Sequence, residues 1–420
     1  MKIHKLLACL GLVAALTAPV KDVEGVLASV KSTGMAATAI AYPLDAVCAA
    51  FNPAGVTEVG DRLDFGISWD RSDGRATISG NLAPLPGING TFNGTRTHDI
   101  YSPDFGITKQ MCFQGYEMTF GFIAYNRNYS KTTYGNVFPL LGTSHLGMEY
   151  VHETLAPVWA IKFCDRYSFG LTVNYNVQRL KLNGVENFAN PVFSSDPDDV
   201  SNRGYSYSTG WGVTLGARAQ VLDNLAVGVT YQPRTGMSKF HKYRGFLAQH
   251  GKLDIPEKIG AGIAWQVIPC LTAAFDVEFI RWSKVPSIHN SLLPGLFTSE
   301  LGLADGAGFG WKNQTYYRVG LDWNIDCNWS ARVGYRHVNT PIRSSQTAIN
   351  LLSLETVEDV VTCGGTYRWT DCLEFSAFYA HGFRHTVHGS GSIPLVGFGG
   401  GEVDLEKSFN VLGISVGWMY

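Results

Sequence analysis

The 420-residue sequence is poor in charge and lacks the long apolar segments of helical membrane proteins. Charged residues make up 16% of the chain, the net charge is −2, and no run of lysine or arginine is present, which argues against nucleic acid as a partner. No segment reaches the roughly 18 consecutive apolar residues that a transmembrane helix requires. If the mature chain crosses a membrane, it therefore crosses with strands.

Signatures of catalysis and of metal binding are also lacking. The sequence has no nucleophile–histidine–acid pattern and no phosphate-binding loop, and its glycine runs at 306–310 and 397–401 do not lie between a strand and a helix. No CxxC pair occurs, and the spacing of His381, His385 and His388 does not place all three on one face of a strand. We expect no enzyme activity, no cofactor and no bound metal.

What the sequence does contain is glycine, aromatic residues and alternation. It has 47 glycine, 23 phenylalanine, 19 tyrosine and 10 tryptophan residues, a composition typical of transmembrane β-barrels. From Asp61 to Tyr420, apolar and polar residues alternate with the period of a strand. In the last segment one face is wholly apolar and suits contact with lipid: Leu412, Ile414, Val416, Trp418 and Tyr420.

This alternation predicts fourteen strands. They lie near 61–70, 99–112, 117–130, 146–164, 167–182, 206–222, 225–238, 256–268, 271–284, 312–325, 328–340, 358–370, 373–388 and 406–420. An even count allows a single-chain bacterial barrel to close. Short and long connections alternate between the strands, which predicts short periplasmic turns and long external loops.

The first 60 residues do not follow the alternation. Residues 1–22 begin with Lys2 and Lys5 followed by an apolar core and predict a signal peptide, cleaved within residues 18–25. Residues 23–60 are rich in small residues and suit a plug, or hatch, inside the lumen. The predicted fold is therefore an all-β membrane protein, a 14-stranded antiparallel transmembrane β-barrel over residues 61–420 with an N-terminal hatch.

Charges of both signs fall on the lumen-facing positions of the predicted strands. They are Asp276, Glu278, Arg318, Asp322, Arg332, Arg336 and Glu374. Because an uncompensated buried charge is costly, we expect these residues to form ion pairs or to contact a plug. A structural network is favoured here over a role in transport.

Several motifs resemble the FadL-type long-chain fatty acid transport proteins. Ser32-Thr33-Gly34-Met35, Asp45 followed by alanines, and Asn52-Pro53-Ala54-Gly55 are similar to the N-terminal hatch of that family. Further similarity occurs at Ile255-Pro256-Glu257-Lys258, Arg281-Trp282-Ser283, Tyr316-Tyr317-Arg318-Val319-Gly320 and Asn328-Trp329-Ser330. The resemblance covers essentially the whole mature chain. It implies passive uptake of hydrophobic molecules, such as long-chain fatty acids, across the outer membrane of a Gram-negative-type bacterium.

The resemblance also implies a route for the ligand. In the family, ligand binds first among the loops after the fifth and seventh strands, then inside the barrel above the hatch, and leaves beside the third strand. The matching loops here are 183–205 and 233–255. They contribute Phe188, Val192, Phe193, Met237, Phe240, Phe246 and Leu247 as expected ligand contacts, and the third strand contributes the lateral-gate residues Phe120, Gly121 and Phe122. Alternatively, the loop residues pack against one another and hold the loops closed.

A basic cluster in the second of these loops provides candidates for binding a fatty-acid carboxylate. The cluster contains Lys239, His241, Lys242 and Arg244, and the candidates are its permanent cations, Lys239, Lys242 and Arg244. Contact with anionic surface lipid is an equal alternative. The acidic residues of the preceding loop, Asp196, Asp198 and Asp199, either pair with these cations or bind calcium.

Five of the eight cysteines lie at or beside predicted short turns: Cys112, Cys164, Cys270, Cys327 and Cys372. Because Cys9 leaves with the signal peptide, an odd number remains in an oxidising compartment. We hypothesise disulfide cross-links to other envelope proteins. Two other functions remain open. One is a general porin or a structural, disulfide-linked barrel; the other is a lipid hydrolase, for which no outward-facing serine–histidine pair is identified.

Overall fold

The structure, a computed structural model, describes residues 28–85, 87–96 and 99–420 and is a closed antiparallel β-barrel. Its strands are β1 Arg62–Ser79, β2 Gly90–Asn93, β3 Asp99–Phe113, β4 Tyr116–Val137, β5 His145–Phe163, β6 Tyr167–Asn183, β7 Ser206–Leu222, β8 Leu225–Gln232, β9 Glu257–Ile268, β10 Leu271–Arg281, β11 Gln314–Asn324, β12 Trp329–Val338, β13 Asp359–Thr370, β14 Leu373–Val387 and β15 Glu402–Met419.

Fourteen of these strands form the wall, and β2 pairs only with the outer part of β1. Each wall strand pairs with its neighbours in chain order. The barrel closes where β15 pairs with β1, from Arg62 opposite Met419 to Ser79 opposite Glu402. The predicted 14-stranded antiparallel barrel is confirmed.

The helices of the described residues are short. The α-helices are α1 Val30–Thr33, α2 Ala248–Gly251, α3 Pro286–His289 and α4 Gly295–Thr298. The 3₁₀ helices span Ala46–Ala50, Pro53–Glu58, Glu186–Phe188, Pro197–Asp199, His241–Tyr243, Trp282–Lys284, Ser344–Gln346 and Ile349–Leu352. In the described part of the chain, no helix has the length and apolar character needed to cross a bilayer.

The connections divide the barrel ends into two different rims. One, which we call the short-turn rim, carries connections at 114–115, 164–166, 223–224, 269–270, 325–328 and 371–372. The other, the long-loop rim, carries the remaining connections, which pack into a cluster of buried apolar side chains that includes Tyr134, Phe240 and Leu352. Bacterial outer-membrane barrels place short turns in the periplasm and long loops outside the cell.

Side chains alternate across the wall as the sequence predicts. Phe275 is 42% exposed on the outer face, whereas its neighbour Asp276 is 1% exposed in the lumen. On β15, the predicted lipid-facing residues from Leu412 to Tyr420 are all exposed on the outer face. The seven charged lumen positions predicted from the sequence are buried or half-buried.

Some strand limits differ from the prediction for physical reasons. Strand β1 continues to Ser79, nine residues beyond the predicted end, because its outer part pairs with β15. In this part the polar residues face outward and the apolar Ala76 and Ile78 are buried inside, the reverse of the apolar-outside pattern used for the prediction. Strand β8 ends at Gln232, before Pro233, which has no backbone N–H for the ladder. The predicted signal peptide, residues 1–22, lies outside the described residues.

Candidate functional site

Residues 28–60 occupy the barrel lumen and are held by side-chain caps. All five predicted hatch residues, Gly34, Asp45, Asn52, Pro53 and Ala54, are buried. Asp45 accepts a hydrogen bond from the Val47 amide at 3.0 Å and begins the Ala46–Ala50 helix. Asn52 accepts one from the Ala54 amide at 3.1 Å and begins the next helix. Such caps satisfy backbone donors that the helix itself leaves free.

Asn52 also fixes the hatch to the wall. Its Nδ2 donates to the carbonyl of Ile40 at 2.7 Å within the hatch and to that of Ala217, on β7, at 3.1 Å. Next to Ala217 in the wall is Gly216, where a Cβ atom would overlap Asn52 Oδ1. The wall can approach the hatch this closely only because glycine has no side chain there.

Further glycines mark the footprint of the hatch on the wall. A Cβ atom on Gly106 would lie 2.9 Å from the Cβ of Ala46, and one on Gly320 would lie 2.7 Å from the carbonyl oxygen of Met35. The sequence analysis did not assign these residues. Their signal was present, because glycines on lumen-facing strand positions leave room for a close backbone approach.

Wall carboxylates bind the hatch backbone. Asp64 Oδ2 accepts a hydrogen bond from the Ala46 amide at 2.9 Å. Asp276 Oδ2 accepts two, from the amides of Ala39 at 2.8 Å and Ile40 at 3.0 Å. These lumen charges therefore replace the water that would otherwise solvate the hatch backbone.

A buried ion-pair network connects the hatch, the first strand and the wall. Glu374 on β14 forms an ion pair with Lys31 of α1, and it lies 2.5 Å from Arg62 Nη2. Arg62 also contacts Asp64 at 2.6 Å. All four side chains are at least nine-tenths buried, so each charge depends on its partners for compensation.

Between the hatch and the long loops lies a cavity of about 160 Å³. Its apolar wall is formed by Met148, Leu180, Leu247, Leu253, Ile280 and Ile288. Its charged residues are Arg127, Asp254, Lys258, Glu278, Arg318, Arg336 and Glu355. A compartment that combines apolar and charged walls suits an amphipathic molecule.

The cations of this cavity differ in their partners. Glu278 lies 2.9 Å from Lys258 Nζ and 3.0 Å from Arg318 Nη2, so both of these cations pair with a carboxylate. Arg127 instead donates a hydrogen bond to the neutral side chain of Gln232. Within residues 28–85, 87–96 and 99–420, no carboxylate lies at ion-pairing distance from Arg127. Its guanidinium is therefore a cation in the cavity that can receive an external anion.

A second, smaller cavity of about 50 Å³ lies among the long loops and is lined by apolar side chains. Phe188 lines it together with Phe398, and the two rings stack at a centroid distance of 6.1 Å. Phe193 packs on the same pair, 5.6 Å from Phe188. Most of the lining comes from other loops, through Ile88, Phe138, Leu141, Leu292, Leu296 and Leu351.

The remaining predicted ligand residues differ in whether they line a cavity. Leu247 lines the lumen cavity. Met237, Phe240 and Phe246 are buried and line neither cavity, whereas Val192 is 77% exposed. Phe240 and Phe246 belong to the buried loop cluster, which agrees with the alternative that such residues hold the loops together.

Tyr243 anchors the loop 233–255. Burial raises the pKa of its hydroxyl, which donates to the carbonyl of Gly204 at 2.5 Å.

The basic cluster predicted to receive a carboxylate lies away from both cavities. Arg244 Nε is 2.6 Å from Asp196 and 2.8 Å from Asp199, so it is already paired with the preceding loop. Lys239 and Lys242 are exposed on the surface, and neither lines a cavity. The sequence analysis missed Arg127, because a single arginine within a strand gives no local signal.

The third strand of the wall, β4, contains an interruption. The predicted gate residues Phe120, Gly121 and Phe122 lie where β4 pairs with both β3 and β5. Pairing with β3 ends at Tyr125, and the register with β5 shifts between Asn126 and Asn128. The irregularity is therefore displaced from the predicted residues toward the long-loop rim, and it coincides with Arg127.

Comparison with known proteins adds to this geometry. The family model described as outer membrane protein transport protein (OMPP1/FadL/TodX) matches residues 26–416. A search of curated protein sequences found no match. Among solved structures, a Pseudomonas aeruginosa FadL homologue is similar, with a TM-score of 0.69 and 14% identity over 95% of this chain and 98% of that one.

Two further structures have the same fold. The P. putida toluene transporter TodX has a TM-score of 0.66 and 14% identity, over 95% of this chain and 99% of its own. The Ralstonia pickettii toluene transporter TbuX has a TM-score of 0.63 and 15% identity, with the same coverage. The chain therefore belongs to the FadL/TodX family of outer-membrane β-barrel channels for hydrophobic compounds.

Proposed function

We propose that this channel takes up amphipathic molecules with an apolar chain and an anionic head group, and that long-chain fatty acids are its substrates. The observation that carries the proposal is the position of Arg127, a cation without a carboxylate partner among the described residues, in a cavity with apolar walls. Hiding each CH₂ group from water contributes about 0.8 kcal/mol. A charge-assisted hydrogen bond to a carboxylate adds about 1.5–3 kcal/mol.

The proposed route begins at the apolar loop cavity beside Phe188 and continues to the lumen cavity. It ends at the interruption of β4, where pairing with β3 stops after Tyr125. Arg127 lies at this interruption and lines the lumen cavity, so a head group bound there would be close to the lateral exit. The movement is passive, because diffusion down a gradient from one apolar compartment to the next suffices.

Monoaromatic hydrocarbons are the second candidate substrates. TodX and TbuX are toluene transporters, and their fold is shared. A neutral aromatic hydrocarbon can make a cation–π contact with a guanidinium, worth about 0.5–2 kcal/mol, but it cannot neutralise that charge as a carboxylate does. The charged cavity therefore favours an acid as the substrate.

The test is binding of a long-chain fatty acid, the matching fatty alcohol and toluene to the purified, refolded protein. Arg127→Met should weaken fatty-acid binding about tenfold or more, since 1.4 kcal/mol corresponds to a factor of ten. Binding of the alcohol should change little. Arg281→Met is the matched control, because Arg281 is half exposed and pairs with Glu257 at 3.2 Å outside the cavity. Equal loss for acid and alcohol would contradict the proposed role of Arg127.

Closure of the lumen by the hatch is the property that distinguishes the proposed channel from a general porin. We propose that residues 23–60 close the lumen to ions while the hydrophobic route stays open. Deleting residues 26–50 should raise ion conductance in planar bilayers. A large conductance of the intact protein, with equally weak fatty-acid binding by both forms, would favour the porin. As further partners we propose the surrounding outer-membrane lipid and cysteine-bearing envelope proteins.

A further inference from the structure

The described residues contain seven cysteines, all with free thiols, and five of them lie on the short-turn rim. Cys112, Cys164, Cys327 and Cys372 are exposed, and Cys270 is half-buried. The other two lie elsewhere: Cys48 is buried in the hatch, and Cys363 is exposed on the outer face of β13. Thiols therefore occur at or beside five of the six short turns.

Neither packing nor turn geometry accounts for this placement. Exposed thiols add little to a core. Cys164 has a φ of 49°, a left-handed conformation that favours glycine or asparagine over cysteine. Asp223–Asn224, the one short turn without a cysteine, has the residue types that such turns usually contain.

The thiols are too far apart to pair with one another in this fold. Successive cysteine-bearing turns are separated by about two strands, which corresponds to roughly 10 Å at 4.7–4.9 Å per strand. A disulfide requires Cα atoms within about 7 Å. The strand order around the barrel is fixed by continuous ladders, so closing this distance would break wall pairing.

We propose that the short-turn rim is an attachment surface that forms intermolecular disulfides with cysteine-bearing proteins of the periplasm. Each link joins one rim thiol to one partner thiol and releases two protons and two electrons. The electrons reduce the disulfide of a periplasmic thiol oxidase to its dithiol. Exposure of the rim thiols provides the access that this exchange requires.

The distribution of the thiols around the rim indicates the kind of partner. Cys112 and Cys164 lie on β3 and beside β5, whereas Cys270, Cys327 and Cys372 lie between β9 and β14. A neighbouring barrel in the membrane plane would contact only one side of this circle. Thiols on several sides fit soluble partners beneath the membrane that bind one barrel at several points and connect it to others.

The experiment uses the full-length protein in native membranes, with free thiols blocked by N-ethylmaleimide at lysis. Non-reducing electrophoresis with immunodetection should show species of high mass that collapse to the monomer after reduction. Replacing all five rim cysteines by serine should abolish these species. Cys363→Ser is the matched control, since this thiol faces lipid rather than the periplasm, and it should leave them unchanged.

A second measurement keeps the test decisive if the fivefold variant fails to assemble. In native membranes, a maleimide–polyethylene glycol reagent should label fewer than five rim thiols before reduction and all five afterwards. Variants in which one rim cysteine is replaced by serine should each retain a cross-linked species. Only monomer in blocked wild-type membranes, or cross-links that persist without the rim cysteines, would overturn the proposal. Both outcomes are independent of fatty-acid binding.

Discussion

The side chain of Asn52 in the hatch fills the space that a side chain at Gly216 of strand β7 would occupy. A Cβ atom on Gly216 would overlap the side-chain oxygen of Asn52, and the Asn52 amide donates to the carbonyl of Ala217 beside it at 3.1 Å. The hatch and the wall therefore pack closely at this point, with no room for an additional atom. A small enlargement of the wall should displace the hatch without preventing strand pairing.

Gly216→Ala should raise ion conductance and lower the melting temperature of the hatch while the barrel still forms. Adding a methyl group to a well-packed site costs about 1–3 kcal/mol. Planar-bilayer conductance measures the opening of the lumen, calorimetry measures the melting of the hatch, and heat-modifiable gel mobility shows whether the barrel forms. Gly236→Ala is the control, because a Cβ atom there meets nothing within 4 Å. Equal behaviour of the two variants would contradict the tight fit at Asn52.

Asn52→Ala should weaken uptake more than barrel assembly. The variant loses the cap on the Pro53–Glu58 helix and leaves the Ile40 carbonyl without its donor. The loss of a cap costs about 0.5–2 kcal/mol. The measurements are fatty-acid uptake by cells and the amount of folded protein in outer membranes. Unchanged uptake at normal abundance would show that the hatch does not depend on this contact.

Glu374→Gln should destabilise the barrel strongly, because it leaves Lys31 and Arg62 as buried cations short of one partner. Breaking a buried ion pair costs about 3–5 kcal/mol. Asp223→Asn breaks the exposed pair with Arg166 and should cost about 0–1 kcal/mol. Urea unfolding in detergent compares the two variants. Similar midpoints would mean that the buried network contributes little.

Acid should open the outer loops because it protonates Glu186, the first residue of the short helix that contains Phe188. Burial alone would raise the pKa of Glu186, but hydrogen bonds from Ser144, Asn202 and the Thr143 amide lower it below its ordinary value of 4.5. The folded state therefore prefers the ionised form. This stabilisation is complete above pH 4.5 and is lost as the pH falls through the lowered pKa.

The measurement for this prediction is the rate of cleavage of residues 183–205 by pepsin, which works in acid. The wild-type loop should become cleavable as the pH falls below 4.5, and Glu186→Gln should remove most of that dependence. A wild-type rate that is constant with pH, once corrected for the activity of the protease, would contradict this role of Glu186.

The wall was predictable from the sequence because each strand carries its own signal. Alternation identified all fourteen wall strands and the inward direction of Asp276 and Glu374, since a strand must place successive residues on opposite faces. Beyond the membrane the outer face no longer meets lipid, so the apolar-outside pattern is lost: in the outer part of β1 the polar residues face outward, and Ala76 and Ile78 are buried inside. The outer part of β1 and the pairing partner β2 were missed for that reason.

The candidate site was less predictable, because it depends on residues brought together from distant strands. Arg127 is distinctive only in that its neighbours across the lumen do not neutralise it, which no local pattern reveals. Arg244 appeared available in the sequence, yet Asp196 and Asp199 from another loop bind it. Apolar loop residues such as Phe240 have the same composition whether they bind ligand or pack together.

The seam between β1 and β15 joins the first and last strands of the barrel, and it completes a cylinder around the segment that leads directly into β1. Once the cylinder is complete, that segment can leave only along the barrel axis. The long-loop side is covered by interlocked apolar side chains. Mechanical or thermal expulsion of the plug should therefore be directional, toward the periplasm, and a protease confined to that compartment should reach it first.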